Sequence, residues 1–146
     1  MDRNGYKKVG YNIPTIDMNA SYSLTGSSDD PTVFGPSMWF TFHNGARAYP
    51  KNPTEFIKSG MKQLISNIPL IMPCVSCKEH FYAFLKSIDL DWAVASRDNL
   101  FEFWVNAHNY VNDRYGKRLI SLDEAKQYYG FNNPNGSMMR LVYSGK

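Results

Sequence analysis

Cysteine is scarce in this chain, with two in 146 residues, Cys74 and Cys77. So few cannot make the disulfide-dense scaffold of a small secreted domain. No stretch is long and apolar enough to cross a membrane, and the polar start, Met1 to Tyr11, lacks the apolar core of a signal peptide. A protein that is not exported, resident in the cytoplasm and without a membrane partner, is therefore expected. Charge of one sign is also lacking. The net charge is +3 with both signs interspersed and no run of either, so no nucleic-acid partner is expected. Convincing strand patterns are absent as well, which disfavours any fold that needs βαβ units.

What is present is apolar and aromatic. Hydrophobic residues make up 43% of the chain and aromatics 15%, enough for one domain with a real core. Residues 1–32 are rich in Asn, Ser, Gly and Tyr without periodicity and read as an irregular N-terminal arm. Tyr6, Tyr11 and Tyr22 are available there for local or interfacial packing. Residues 131–146 read as a turn and loose tail, leaving 33–130 as the domain. Five helical segments are expected within it. The first runs from about Ser37 to Tyr49 after Gly35-Pro36. The second runs to about Ile68, with Pro53 at its first position. The third spans about Cys74 to Ile88. A fourth, after Ser96, carries Leu100, Phe101, Trp104, His108, Val111 and Tyr115 at steps of three and four, and Gly116 stops it. The capping box Ser121-Leu122-Asp123-Glu124 opens a short fifth helix that Gly130 closes. Short connections then make an all-α four-helix bundle with a short fifth helix.

Chemistry concentrates at Pro73-Cys74-Val75-Ser76-Cys77-Lys78-Glu79-His80-Phe81. A C-x-x-C pair at a helix N-terminus meets the positive end of the helix, which favours thiolate over thiol. Three readings stay open on spacing alone. The pair is redox-active, with Cys74 the outer sulfur and Cys77 one turn deeper. Or Cys74, Cys77, His80 and His108 bind zinc as a helical interaction module. Or both cysteines are buried, reduced small hydrophobes. All three histidines, His43, His80 and His108, fall on helices beside aromatic or Asn neighbours, a setting suited to a planar heteroaromatic cofactor held among the helices.

The motifs Gly35-x-x-x-Trp39-x-x-x-His43, Tyr49-Pro50, Pro73-Cys74-x-x-Cys77-x-x-His80-Phe81 and His108-Asn109-x-Val111-Asn112 with Lys117 carry a resemblance. In that order, from Gly35 to Tyr129, the chain resembles the Erv/ALR family of FAD-linked sulfhydryl oxidases, above all the minimal forms of large cytoplasmic DNA viruses. The resemblance implies a bundle enclosing FAD, usually homodimeric, with Cys74 and Cys77 as the catalytic pair. It implies Trp39, His43, Tyr49, Cys77, His80, His108, Asn109, Val111 and Asn112 around FAD, Lys117 near its phosphates and Tyr129 against the adenine. It also implies electron flow from a substrate protein dithiol, or a small thiol carrier protein, through Cys74/Cys77 and flavin to O2, giving H2O2. For a viral chain the location would be host cytoplasm or virion.

Four departures from the family pattern stand out. Pro36 replaces an arginine common in the family, and Arg114 or Arg118 is the candidate to compensate. Phe103 takes the place of a family tryptophan, with Trp104 shifted by one, so either ring is the one expected to face the flavin. Val105 and Leu122 occupy the positions of a structural disulfide and are expected to pack together. No second cysteine pair serves as a shuttle, so substrate is expected to dock directly at Cys74.

Overall fold

The computed structural model describes residues 29–132, and among these the regular structure is entirely helical. The long helices are α1 (Pro31–Ala48), α2 (Glu55–Asn67), α3 (Val75–Lys86) and α5 (Arg97–Arg114). A single turn, α4 (Leu90–Ala93), precedes α5; a short α6 (Leu122–Tyr128) closes the fold, and Ile68–Ile71 forms a 3-10 turn after α2. Four long helices and a short closing one are what the periodicity predicts; the one-turn α4 and the 3-10 turn are additional. No described helix is long and apolar enough to cross a membrane.

Each α-helix starts where a side chain takes up an N–H that has no intrahelical partner. The caps are Asp30, Thr54, Cys74, Asp89, Ser96 and, as a full capping box with Glu124, Ser121. Two starts differ from expectation. α1 begins at Pro31 rather than near Ser37, because Asp30 accepts both the Thr32 N–H at 2.8 Å and its hydroxyl at 2.7 Å. With Pro31 pre-setting φ at the first position, Asp-Pro overrides Gly35-Pro36 as the start signal. Pro36 then lies inside the helix and withholds an N–H from the Thr32 carbonyl; both residues are exposed, which leaves that carbonyl to water. At α2 the cap is Thr54, so Pro53 precedes the cap instead of occupying the first helical position.

Glycine decides two stops. Gly116 (φ +63°) and Gly130 (φ +60°) are left-handed. Each is followed by an N–H that reaches back five residues, Lys117 to the Asn112 carbonyl and Phe131 to the Lys126 carbonyl, both at 2.8 Å. These are Schellman ends. The second turns Phe131, expected to begin the loose tail, into the core, where it meets Phe101 and lies under the cations of Arg97 and Lys126. Residues 1–28 and 133–146, which hold Tyr6, Tyr11 and Tyr22 and the remainder of the expected tail, lie outside the described residues.

The core centres on α5, which buries Leu100, Phe101, Phe103, Trp104, Val105 and Ala107. A helix buried this widely needs partners on several sides, and α1, α3, α4 and α6 all pack on it. α1 contributes His43 and Ala46, and α3 contributes Phe81 and Phe84. At roughly 1.5–3 kcal/mol for each large apolar side chain fully buried, α5 anchors the fold. It also forms one wall of the site.

Candidate active site

Cys74 caps α3 and Cys77 lies three residues on, and a disulfide joins them. The Cys77 N–H donates to Cys74 Sγ at 3.2 Å, and the Ser76 hydroxyl lies 3.3 Å from the same sulfur. Donors and the positive helix end thus converge on Cys74, an arrangement that favours its thiolate once the disulfide opens.

Beside the pair lies a cleft of about 710 Å³ between α1, α3, α5 and the start of α6's C-terminal turn, within the size range of pockets for drug-sized and cofactor ligands. Cys77 is on its wall and Cys74 is not. The two residues that share one disulfide therefore stand differently toward the cleft. Of the residues singled out from sequence, Trp39, Cys77, His80, His108, Val111, Asn112, Lys117 and Tyr129 line the cleft. Trp39 lies flat on His108, with ring centroids 4.1 Å apart and planes within 7°.

His43, Tyr49, Phe103, Trp104 and Asn109 fall outside the cleft lining. Tyr49 is buried and donates its hydroxyl to the Val94 carbonyl at 2.9 Å, tying the end of α1 to the turn before α5. Phe103 packs against Phe84 and Trp104 in the core. Trp104 backs the wall, stacked on Phe42 at 4.2 Å and parallel to Phe81; Phe42 and Phe81 both line the cleft. Neither Phe103 nor Trp104 forms its surface. Asn109 spends its amide on the backbone of Ile120, donating to the carbonyl at 2.7 Å and accepting the N–H at 2.9 Å.

His43 is 1% exposed and stacks on Tyr129 at 4.2 Å. Its Nε2 shares a hydrogen bond of 3.1 Å with His108 Nδ1, and its own Nδ1 has no partner. Burial, reinforced by His108, holds the His43 pKa down at about 3. Burial and then the charge of Lys117 hold His108 at about 4. Both rings are neutral at pH 7. Burial and the neighbouring Tyr128 push the Tyr129 hydroxyl upward, so it stays protonated.

Two basic side chains, Arg114 and Lys117, stand on the cleft near the end of α5, and the Arg114 guanidinium donates to His80 Nε2. Arg118 is engaged elsewhere, with Glu124 at 2.9 Å. Of the two candidates to compensate for Pro36, only Arg114 reaches the cleft. Val105 is buried and Leu122 half-buried against the same core cluster, so neither stands in solvent. The zinc reading is not supported. The cysteine sulfurs bond each other, His80 turns to Arg114 and His108 to His43. Among the described residues no group of three or more candidate ligands converges.

Sequence reasoning missed several cleft residues. Met38 and Phe42 share a helix face with Gly35 and Trp39, at steps of three and four, and line the cleft with them. That spacing was available in the sequence. Met72, Tyr110, Tyr115 and Tyr128 also line it, and nothing local distinguishes them from ordinary core or surface residues.

The sequence profile of the Erv1 / Alr family matches residues 36–130. The 347L protein of Invertebrate iridescent virus 6 is 36% identical over 107 residues, spanning 70% of this chain and 96% of that one. The mitochondrial FAD-linked sulfhydryl oxidase ERV1 of Saccharomyces cerevisiae is 34% identical over 126 residues, 78% of this chain and 66% of that one. The crystal structure of the FAD binding domain of Erv1 from the same yeast superposes with a TM-score of 0.65 at 28% identity, covering 71% of this chain and 96% of that domain.

Proposed function

From the premise that this chain belongs to the Erv1 / Alr family, we propose how its residues carry out the work of an FAD-linked sulfhydryl oxidase. The observation that carries the reading is the division of one disulfide between two settings, Cys77 on an aromatic cleft and Cys74 outside it.

The cleft suits FAD. Flat rings of Trp39, Phe42, Phe81 and Tyr110 offer faces for the isoalloxazine and adenine. Arg114 and Lys117 offer positive charge to the diphosphate, and the buried amide of Asn112 offers a polar edge. His43 and Trp104 support these walls from behind, as do Tyr49, Phe103 and Asn109 through the packing and hydrogen bonds that hold α1 and α5 in place. FAD bound there would supply the two-electron acceptor that returns the cysteine pair to its disulfide, with O2 as the terminal oxidant and H2O2 as the product.

The chain's own residues perform the thiol chemistry. A substrate thiolate attacks Cys74 Sγ. A bond forms between substrate sulfur and Cys74 while the Cys74–Cys77 bond breaks, its electron pair leaving on Cys77. The second substrate thiolate then attacks the first substrate sulfur, forming the substrate disulfide and releasing Cys74 as a thiolate. The helix end and the Cys77 N–H stabilise that thiolate. Two electrons now reside on the pair, and two protons have gone to solvent. The partner is a protein dithiol or small thiol carrier protein, because no further cysteine of this sequence can relay electrons. With relatives of known viral source, host cytoplasm or virion is the location we assign.

A homodimer belongs to the same reading. What supports it is one face of α2, where Phe56 (87% exposed) and Leu64 (56%) flank Gly60, which has open space above it.

The test is Cys77→Ser. The purified variant is expected to remain yellow with bound flavin and to lose oxygen consumption with a dithiol entirely. Oxygen uptake at the parent rate would overturn the mechanism.

A further inference from the structure

We infer that Ser76 is a further catalytic residue of the thiol exchange: its hydroxyl donates a hydrogen bond to Cys74 Sγ and hastens the departure of Cys74 from the mixed disulfide. This rests on the oxidase reading and deepens it by giving the second exchange step a side chain of its own.

Cys74 caps α3, so Val75, Ser76 and Cys77 are the first residues of the helix. The side chain of Ser76 reaches back over that turn and sets its Oγ 3.3 Å from Cys74 Sγ. Valence gives the direction of the bond. A disulfide sulfur carries no hydrogen, so the hydroxyl donates and the sulfur accepts. With the Cys77 N–H at 3.2 Å, Cys74 Sγ then accepts from two donors. A serine in a first helical turn is ordinary, and such hydroxyls commonly serve the backbone. Here, among the described residues, the Ser76 hydroxyl has one hydrogen-bond partner, the sulfur of a reacting cysteine.

The position of the donor decides which step gains. In the first exchange the electron pair leaves on Cys77, and a donor at Cys74 gives that departure no help. In the second, a thiolate attacks the substrate sulfur of the mixed disulfide. A substrate disulfide forms, the bond to Cys74 breaks, and its electron pair stays on Cys74. A more stable thiolate is the better leaving group, and a hydrogen bond to a charged acceptor is stronger than one to a neutral acceptor. The hydroxyl is in place before that charge develops, so it needs no reorganisation. Ser76 is exposed, and competition from water limits the gain to a few-fold.

The experiment isolates that departure. Full-length Cys77→Ser protein with FAD bound is capped at Cys74 as a mixed disulfide with glutathione and then given free glutathione. Attack on the Cys74 sulfur exchanges one glutathione for another and is silent. Attack on the glutathione sulfur releases the Cys74 thiolate and oxidised glutathione, which a coupled assay counts. Adding Ser76→Ala is expected to slow this release about threefold, while Ser76→Thr, which keeps a hydroxyl, holds it within about 1.5-fold. Lys78 and Glu79 on α3, and Arg114 at His80, are the same in all these proteins, so the difference reads the hydroxyl. Unchanged flavin absorbance checks the fold. Equal release rates with serine and alanine at this position, or a threonine variant as slow as the alanine one, overturns the inference and leaves the oxidase reading intact. A parent protein that consumes no oxygen with dithiothreitol overturns the oxidase reading, and with it the catalytic role of Ser76.

Discussion

The buried pair His43 and His108 shows how much a single residue's surroundings decide. Each ring in the unfolded chain titrates near 6.5, while the folded protein holds them at about 3 and about 4. Below pH 6.5 the unfolded state takes up protons that the folded state refuses. Stability is therefore full above that pH and declines as the pH falls toward 4 and then 3, by at most about 1.4 kcal/mol per pH unit for each ring. Denaturant unfolding measured between pH 7.5 and 4.5 is expected to show this decline, and His108→Gln to reduce its slope by about half. A parent profile that is flat over this range would contradict the assignment. Residue type and spacing marked both histidines as worth notice. Their pairing was not legible, because they stand 65 positions apart and only the packing of α1 on α5 brings them into contact.

At the scale of elements, the connection between α5 and α6 is informative. The family resemblance places a disulfide there, and Val105 and Leu122 stand at its positions. Asn109 supplies a substitute tie, two hydrogen bonds to the backbone of Ile120. These bonds hold a loop whose other end is set by Gly116 and which presents Lys117 to the cleft. Asn109→Ala removes both bonds and leaves a half-buried N–H and carbonyl without partners. A loss of about 2 kcal/mol is expected, read as a fall in Tm of about 5–10 °C. A change below 1 °C would show that the loop is held by packing alone. Helix ends were the most legible part of the fold, since caps and glycines act within a few residues. Two starts erred: at α1 two competing Pro signals stood five residues apart and the side chain of Asp30 decided between them, and at α2 Thr54 took the cap that leaves Pro53 outside the helix.

At the scale of the whole molecule, a chain whose one disulfide closes a loop of only three residues relies on packing for stability. Its apolar surface is also unevenly spent: α5 is buried widely while α2 leaves Phe56 and Leu64 in water. A second copy covering that face would remove the two side chains from solvent at once. Sedimentation equilibrium of the FAD-loaded protein is expected to give twice the chain mass at micromolar concentration. Phe56→Glu/Leu64→Glu is expected to give a monomer that still oxidises dithiothreitol. A parent protein that is monomeric at these concentrations excludes the homodimer.

The order of the helices was written into local sequence, while the class of reaction emerged only from four motifs taken together from Gly35 to Tyr129, because the C-x-x-C spacing alone left three readings open. A C-x-x-C at a capped helix start, aromatic residues at helical spacing and Gly or Ser at helix ends all act over a few residues, where chain connectivity guarantees their proximity. Tertiary structure alone decided which cysteine borders the cleft, which basic residues reach it, and that Asn109 ties a loop. Each of those outcomes depends on which side of a helix meets a segment distant in sequence. The two cysteines are three positions apart, equivalent by composition and both half-buried, yet Cys77 borders the cleft that α1 and α5 also line and Cys74 does not.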